Sequence, residues 1–152
     1  MKLTNYKTPI SSLVVIYTKQ LDILLLSRCD KKNFWQSVTG RLETNESPFE
    51  TAKREVLEET GIVCDNYSLE DWNLSHKYKI FSHWQHRYGP GVYFNTEHIF
   101  GLELPNKLPI KLAPNEHNDF KWVELEIAKQ LVFSWTNVKA LEKLYDIKQI
   151  GS

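Results

Sequence analysis

The chain has 152 residues, a length typical of a single domain with a sizeable core. Lys plus Arg and Asp plus Glu both total 19, so the chain lacks the basic excess of a protein that binds nucleic acid polymers. The two cysteines, Cys29 and Cys64, have no metal-ligand spacing and are expected to be reduced thiols of a cytoplasmic protein. Residues 1–9 lack a signal-sequence core and no stretch has the apolar length of a membrane span, so we expect no membrane association.

The first part of the chain predicts two strands and a helix. Residues 11–17 form an apolar run rich in β-branched side chains, which predicts a buried strand, and residues 21–26 predict a second strand. Ser47 and Pro48 are typical of a helix N-cap and a proline at the first helical position, and the predicted helix continues to about Thr60. At about 100° per residue, the face of this helix expected to be buried comprises Phe49, Ala52, Val56, Leu57 and Thr60.

The rest of the chain predicts further strands and a closing helix. The strands are expected at residues 66–74, 78–86, 92–104 and 120–123, and the helix at residues 135–145. A Gly-Pro-Gly turn at residues 89–91 favours a hairpin between the two strands that flank it. This order of elements provides a helix for each side of one sheet, which is a two-faced α/β arrangement.

One stretch, from Gly40 to Ile62, concentrates charged residues in a loop and the following helix. It reads Gly-x5-Glu-x7-Arg-Glu-Val-x-Glu-Glu-x-Gly-Ile, where Glu55 and Glu59 lie one helical turn apart, about 6 Å along the axis. Their oxygens can converge on a hard cation such as Mg²⁺, which prefers oxygen ligands. The competing interpretation is a solvated acidic helix face. Against it stand the scarcity of lysines at i+4 and the position of Arg54, which can pair with Glu46 across the loop.

These residues resemble the complete signature of the Nudix hydrolase family. The matching positions are Gly40, Glu46, Arg54, Glu55, Val56, Glu58, Glu59, Gly61 and Ile62. The resemblance implies an α/β/α sandwich around a mixed sheet, formed by residues 1–152 as a single domain. It also implies a Mg²⁺-dependent hydrolase, with Mn²⁺ as the alternative ion, that cleaves an X–P–O–P linkage.

Two further residues have competing interpretations. Glu116, in the loop before the last predicted strand, is either a surface carboxylate or the additional metal-bound or water-orienting glutamate that Nudix enzymes often supply from a late loop. Arg28 ends the second predicted strand and either binds a phosphate in a bidentate manner or forms a surface salt bridge. The histidines show no ligand-like spacing beyond His83-x-x-His86, a pair that a strand would direct to opposite faces, so we expect no zinc site.

Residues outside the signature resemble bacterial dihydroneopterin triphosphate pyrophosphatases, a group within the Nudix family. The similar stretches include residues 34–40, 86–92 and 95–97, with Lys7 and residues 134–135. The resemblance implies hydrolysis of 7,8-dihydroneopterin triphosphate to the monophosphate and pyrophosphate, an early step of folate synthesis. It further implies substrate contacts from Lys7, Arg28, Thr39, Tyr78, Lys79, Ile80, Phe81 and Ser134. It places Mg²⁺ on Glu55, Glu59 and Glu116. Residues 78–81 depart from the side chains usual in that group, which leaves pterin specificity open.

The catalytic roles and the substrate keep alternatives. Glu58 or Glu116 can act as the general base or as a further metal ligand, beside Glu55 and Glu59 on the cation. The alternative substrates are nucleoside triphosphates such as dATP, or oxidised nucleotides. A non-catalytic Nudix ligand sensor is the third hypothesis, against which the complete set of carboxylates argues. The expected state is a monomer or a homodimer.

Overall fold

A computed structural model describes residues 6–30 and 33–150 of the protein, without the side chain of residue 150. This part of the chain contains seven strands and three helices. The strands are β1 (Ile10–Thr18), β2 (Asp22–Arg28), β3 (Trp35–Gln36), β4 (Val38–Arg41), β5 (Ser68–Lys79), β6 (Phe94–Leu104) and β7 (His117–Glu124). The helices are α1 (Pro48–Thr60), α2 (Leu125–Leu131) and α3 (Trp135–Ile150). Single 3₁₀ turns cover Cys64–Asn66 and Gln85–Arg87.

All seven strands belong to one mixed sheet with the central order β3-β2-β1-β6-β5. β6 is parallel to β1 over the whole length of β1, and the other pairs are antiparallel. β1 diverges from β2, which it pairs only near Tyr17 and Ile23, so β4 pairs with the first half of β1. β7 pairs with β2. The divergence opens the sheet beside β4, where the loop that leads to α1 begins.

The sheet is covered on both faces, which confirms the predicted α/β/α sandwich. Alternate residues of β1 enter two separate cores. Leu13 and Val15 pack with α2 and α3, whereas Val14 and Ile16 pack with α1. Eight successive residues of β1 are buried, as expected for a strand with helices on either side.

Both predicted ends of α1 are confirmed. Ser47 accepts a hydrogen bond from the backbone N–H of Glu50 at 3.2 Å, and the Glu50 side chain accepts one from the N–H of Ser47 at 3.0 Å. This reciprocal pair is a capping box. At the other end Gly61 adopts φ 78°, and its N–H donates to the carbonyl of Leu57 at 2.9 Å.

The predicted buried face of α1 is partly wrong. Ala52, Val56 and Thr60 are fully buried, but Phe49 and Leu57 are 41% and 51% exposed. Thr51 and Glu59 are buried in their place. The helix is turned so that its small residues meet β1, where the Ser12 hydroxyl donates to the carbonyl of Pro48 at 2.7 Å. That rotation carries a carboxylate into the interior.

Two other boundaries differ from the prediction. In place of the two strands expected at residues 66–74 and 78–86, the structure has one strand, β5 (Ser68–Lys79). It continues through the polar residues between the two expected strands and has a bulge between Asp71 and Leu74. β5 does form a hairpin with β6, but residues 80–93 are a loop in which Gln85 donates to the carbonyls of Gly89 and Val92 at 2.8 and 3.1 Å. α2 is an element that periodicity did not predict.

Within the described residues, no helix is both long and apolar enough to cross a membrane.

Gly101 on β6 provides a test of packing, because a Cβ atom there would lie 2.0 Å from Cζ2 of Trp72. Overpacking of this kind costs about 1–3 kcal/mol, so we expect Gly101→Ala to lower the free energy of unfolding by that amount in urea titrations. Trp72→Phe removes the clashing atoms. In that background we expect Gly101→Ala to cost less, and additive effects of the two changes would contradict the proposed contact.

Candidate active site

The carboxylate of Glu59 is the most unusual group in the structure. Its side chain is 1% exposed, and neither oxygen has a hydrogen-bond partner among the described residues. The nearest basic atom is Nε2 of His117, 3.6 Å from Oε1. Burial, and next the neighbouring Glu55 carboxyl group, raise the pKa of Glu59 well above its usual value. An ionised carboxylate that is buried without a partner is strongly unfavourable, so a cation bound beside Glu59 would stabilise its charged form.

Two residues at the start of β7 meet Glu59. Glu116, Glu59 and His117 each offer a ligand atom, and these atoms lie within 4.8 Å of one another. His117 is buried, its Nδ1 has no partner in the described part of the chain, and its Nε2 lies 3.3 Å from the amide nitrogen of Gln36. Glu116 is exposed and is reachable from solvent. Carboxylate and imidazole groups are common ligands of divalent cations, so this donor set fits one.

Glu55 joins this group through a close approach to β4. A Cβ atom on Gly40 would lie 2.1 Å from Cδ of Glu55, so no other residue can occupy this position without displacing the carboxylate. On its outer side Glu55 accepts a hydrogen bond from Nη1 of Arg54 at 2.7 Å. Of the predicted trio, Glu59 and Glu116 therefore lie together with His117, and Glu55 neighbours Glu59, whose pKa it helps to raise. We call Glu55, Glu59, Glu116 and His117 the acidic group. Glu58, the remaining predicted catalytic glutamate, has a side chain 53% exposed and contacts Arg54 at 3.2 Å.

Arg54 fixes the loop to the helix, as predicted. Its Nε donates to Glu46 at 2.6 Å, its Nη2 donates to Glu46 at 3.0 Å, and Nη2 also donates to the carbonyl of Arg41 at 3.0 Å. Glu46 accepts further hydrogen bonds from the Thr51 hydroxyl at 2.7 Å and from the N–H of Glu43 at 2.9 Å. A bidentate, charge-assisted pair of this kind holds both of its partners in one geometry.

Lys7, a predicted substrate contact, lies in a basic group that the sequence did not reveal. Burial, and then the nearby Arg41 and Arg87, lower the pKa of Lys7. The chain is held there by a hydrogen bond from the N–H of Lys7 to the carbonyl of Arg87 at 2.8 Å, and Arg41 donates to the Tyr88 hydroxyl at 3.1 Å. Arg41 directly follows Gly40 on β4, so by strand alternation its side chain lies on the same face as Thr39 and opposite to the face where Gly40 meets Glu55.

The other predicted substrate contacts are spread over several elements. Arg28 pairs with Asp30, to which its Nε donates at 2.9 Å, and lies 5.0 Å from the ring of Phe34. Of the segment 78–81, Tyr78 is half-buried, and burial raises its pKa to about 12. Lys79 and Phe81 are exposed, whereas Ile80 is only 5% exposed and faces the interior.

Thr39 and Ser134 lie on the face of the sheet that α3 covers. Thr39 is opposite Leu13 in the β1–β4 pair, and its hydroxyl is near enough to the buried carboxylate of Glu97 to lower the pKa that burial raises. The Ser134 hydroxyl accepts a hydrogen bond from the N–H of Asn137 at 3.1 Å, at the start of α3, and lies 3.2 Å from the Thr136 hydroxyl. Glu97 belongs to the stretch 95–97 that contributed to the family resemblance, but sequence reasoning assigned it no role in the site. The available signal was a carboxylate at an inward position of a predicted strand.

The contact between Arg54 and Glu46 predicts a pH-dependent stability. Chiefly through the hydrogen bond from Arg54, the pKa of Glu46 is lowered from 4.5 to about 2. A lowered pKa stabilises the fold above the unfolded value, and this contribution is lost as the pH falls through the folded value. We expect Glu46→Gln to have a lower Tm than the wild type near pH 7, and the difference to shrink from about pH 4.5 towards pH 2.

Thermal unfolding followed by circular dichroism across this pH range measures the difference. The matched control is Glu126→Gln, which removes a carboxylate 71% exposed on α2 and is expected to leave Tm unchanged at every pH. A deficit of Glu46→Gln that stays constant down to about pH 2 would contradict the assigned ion pair.

Comparison with known proteins agrees with this geometry. The profile of the NUDIX domain matches residues 7–144. The dihydroneopterin triphosphate diphosphatase of Escherichia coli K12 is 43% identical over 146 residues, which cover 94% of this chain and 96% of that enzyme. The enzyme of the same name from Haemophilus influenzae is 38% identical over 149 residues, which cover 95% of this chain and 93% of that protein.

Solved structures extend the agreement to the fold. The structure of the E. coli dihydroneopterin triphosphate pyrophosphohydrolase superimposes with a TM-score of 0.81 over 92% of this chain and 97% of that one. A NUDIX hydrolase structure from Listeria monocytogenes, at 26% identity, gives a TM-score of 0.76. The signature between Gly40 and Ile62, the domain match and the shared fold together establish that this chain belongs to the Nudix family.

Proposed function

We propose that this protein hydrolyses 7,8-dihydroneopterin triphosphate to dihydroneopterin monophosphate and pyrophosphate, a step of folate synthesis. The observation that carries the chemistry is the buried carboxylate of Glu59, without a partner and beside the carboxyl groups of Glu55 and Glu116. The substrate is proposed from the relatives in E. coli and H. influenzae that bear this activity in their names. Nudix hydrolases typically use divalent metals, and we propose Mg²⁺, with Mn²⁺ as the alternative.

Glu55, Glu59 and Glu116 are the proposed metal ligands, with His117 close enough to support or join them. When bound, the divalent cation neutralises phosphate oxygens and acidifies a coordinated water. The protein positions the carboxyl group of Glu55. Gly40 leaves room for that group beside β4, and Arg54 donates a hydrogen bond to it from the outer side.

The remaining roles fall to exposed or basic groups. Lys7, Arg41 and Arg87 gather positive charge at the face of β4 that carries Thr39 and are suited to hold the triphosphate, because charge that is fixed in position stabilises phosphoryl transfer. Glu58 and Glu116 are both exposed, so either can accept a proton from the attacking water and release it to solvent.

The proposal treats residues 1–152 as one catalytic domain, acting in the cytoplasm as a monomer or homodimer on a small-molecule triphosphate. The further substrate contacts carried over from the family resemblance are Arg28, Thr39, Ser134 and the segment 78–81. Of these, Thr39 is the best supported. It lies on the face of the sheet that α3 covers, and the next residue, Gly40, contacts the acidic group on the other face.

A substrate panel tests the proposed activity. With Mg²⁺ present, we expect pyrophosphate release from dihydroneopterin triphosphate with kcat/KM at least about tenfold above that for dATP or 8-oxo-dGTP, because sites that hydrogen-bond a particular group discriminate strongly. Glu59→Gln protein, purified identically, controls for contaminating phosphatases. Faster turnover of a nucleotide would replace the pterin assignment, and the absence of turnover on all substrates would favour a ligand sensor.

The metal assignment predicts opposite effects on activity and on stability. Glu59→Gln is expected to reduce kcat/KM by more than about 100-fold, since even residues that support a metal ligand typically contribute about 10–100-fold. In EDTA the same change is expected to raise Tm by at least about 2 °C, because it replaces a buried acid by a neutral amide. Mg²⁺ should then raise the Tm of the wild type but not of the variant.

The matched control for stability is Glu58→Gln on the same helix. Its side chain is 53% exposed, so no gain in Tm is expected in EDTA. If Glu59→Gln lowered Tm in EDTA and responded to Mg²⁺ like the wild type, Glu59 would be a structural residue and the metal site would be wrong.

A further inference from the structure

Buried polar atoms without a hydrogen-bond partner fall into two groups in this protein. Among the described residues there are six such atoms, and three of them belong to Glu59 and His117 in the acidic group. The other three are Nε2 of His76, Oδ1 of Asn95 and Oε1 of Glu97. Since native structures rarely leave buried polar atoms unpaired, a second group suggests a second ligand surface.

These three residues are neighbours on the face of the sheet that α3 covers. In the β5–β6 pair His76 is directly opposite Glu97, and Ser11 is opposite Glu97 in the β1–β6 pair. Asn95 lies two residues before Glu97 on β6, and its amide nitrogen donates to the Ser11 hydroxyl at 2.9 Å. That bond leaves the carbonyl oxygen of Asn95 as an unpaired acceptor. We call Ser11, His76, Asn95 and Glu97 the polar row.

Glu97 is the acidic member of the polar row and is 5% exposed, and this burial raises its pKa. The neighbouring hydroxyls of Thr136 on α3 and Thr39 on β4 act in the opposite direction and lower that pKa, while Oε1 has no hydrogen-bond partner among the described residues. Trp135 stands beside the row, with its ring 5.3 Å from that of His76 at an angle of 65°, and is 53% exposed. The row therefore combines a fixed carboxylate, a free amide oxygen and an aromatic surface open to solvent.

We propose that Glu97 is a specificity-determining residue that accepts hydrogen bonds from the ring N–H and the adjacent amino group of a 2-amino-4-oxopyrimidine edge, the edge of a pterin. Such an edge presents two neighbouring donors, which a carboxylate pairs with in a bidentate manner. Asn95 supplies a further acceptor on the same side. This inference deepens the function proposed above and rests on it.

The two groups of unpaired atoms are joined by two consecutive residues of β4. Thr39 faces the polar row, and Gly40 faces Glu55 on the other side of the sheet. Consecutive Cα atoms are about 3.8 Å apart, so the backbone positions that contact the two groups, Thr39 and Gly40, are separated by about that distance. β4 has only four residues, and its one strand partner in the described sheet is β1. A ligand with a planar ring and a polyphosphate chain can span this narrow strand.

A purely structural role for Glu97 is the competing explanation, because the carboxylate also links α3 to β4. That role requires only the two threonine hydroxyls and gives no function to Oε1 or to the free oxygen of Asn95. It predicts a loss of Tm on substitution without any change in which heterocycle is bound.

Binding of pterin and lumazine separates these explanations. The two compounds differ at position 2, where pterin carries an amino group and lumazine an oxygen, and at the adjacent N1, which carries a hydrogen only in lumazine. Neither carries the phosphates that the acidic group would bind. Following fluorescence in titrations, we expect the wild type to bind pterin at least about tenfold more tightly than lumazine, as expected for hydrogen bonds to a charged group. Glu97→Gln should bring this ratio near one, since an amide can also donate to the lumazine oxygen.

Two further variants make the test robust. Glu97→Asp keeps the charge, so it should bind pterin more weakly but retain its preference over lumazine. Glu103→Gln removes a carboxylate from the same strand, one that pairs with Lys148, and should leave the ratio unchanged. An unchanged ratio in both folded Glu97 variants would overturn the assignment.

The same proteins distinguish failure of this inference from failure of the proposed function. If dihydroneopterin triphosphate is hydrolysed but Glu97→Gln keeps the wild-type ratio, the inference is wrong and the function stands. If no triphosphate is hydrolysed but the ratio depends on Glu97, the ring is recognised as inferred and the proposed reaction is wrong.

Discussion

The burial of one carboxylate, that of Glu59, is the constraint on which the site depends. A lone buried carboxylate costs on the order of several kcal/mol, so the fold must hold the surrounding groups firmly enough to maintain it. The capping box at Ser47 fixes where α1 begins, and Gly61 ends it one residue after Thr60. With both ends fixed, the rotation that carries Glu59 inward is determined by packing against β1 rather than by the carboxylate itself.

Arg54 connects the helix α1 to the loop before it. Its guanidinium binds Glu46, Glu55 and the carbonyl of Arg41, so one side chain ties three segments together. Because arginine stays charged and has five donors in a planar fork, it can satisfy these acceptors at once, which a lysine cannot. Gly40 completes the arrangement by letting β4 approach Glu55 without an intervening side chain.

The sequence predicted correctly those structural features that depend on residues close together in the chain. The caps of α1 and the pairing of Arg54 with Glu46 follow from spacing alone, and both are present. The outward position of Leu57 was mispredicted because periodicity identifies an apolar arc but not how far the helix turns against the sheet. The basic group of Arg41 and Arg87 joins residues 46 positions apart, and only the fold brings them together.

The arrangement of the sheet separates the two tasks of a substrate-specific Nudix enzyme. The acidic group, which suits phosphate chemistry, lies on the face covered by α1, and the polar row lies on the face covered by α3. Alternation along a strand sends Thr39 and Gly40 to opposite faces, so adjacent residues serve different tasks. A change in the polar row can therefore alter which heterocycle binds while Glu55 and Glu59 keep their geometry. This separation explains why the Nudix signature identifies the reaction but leaves the substrate to be read from other residues.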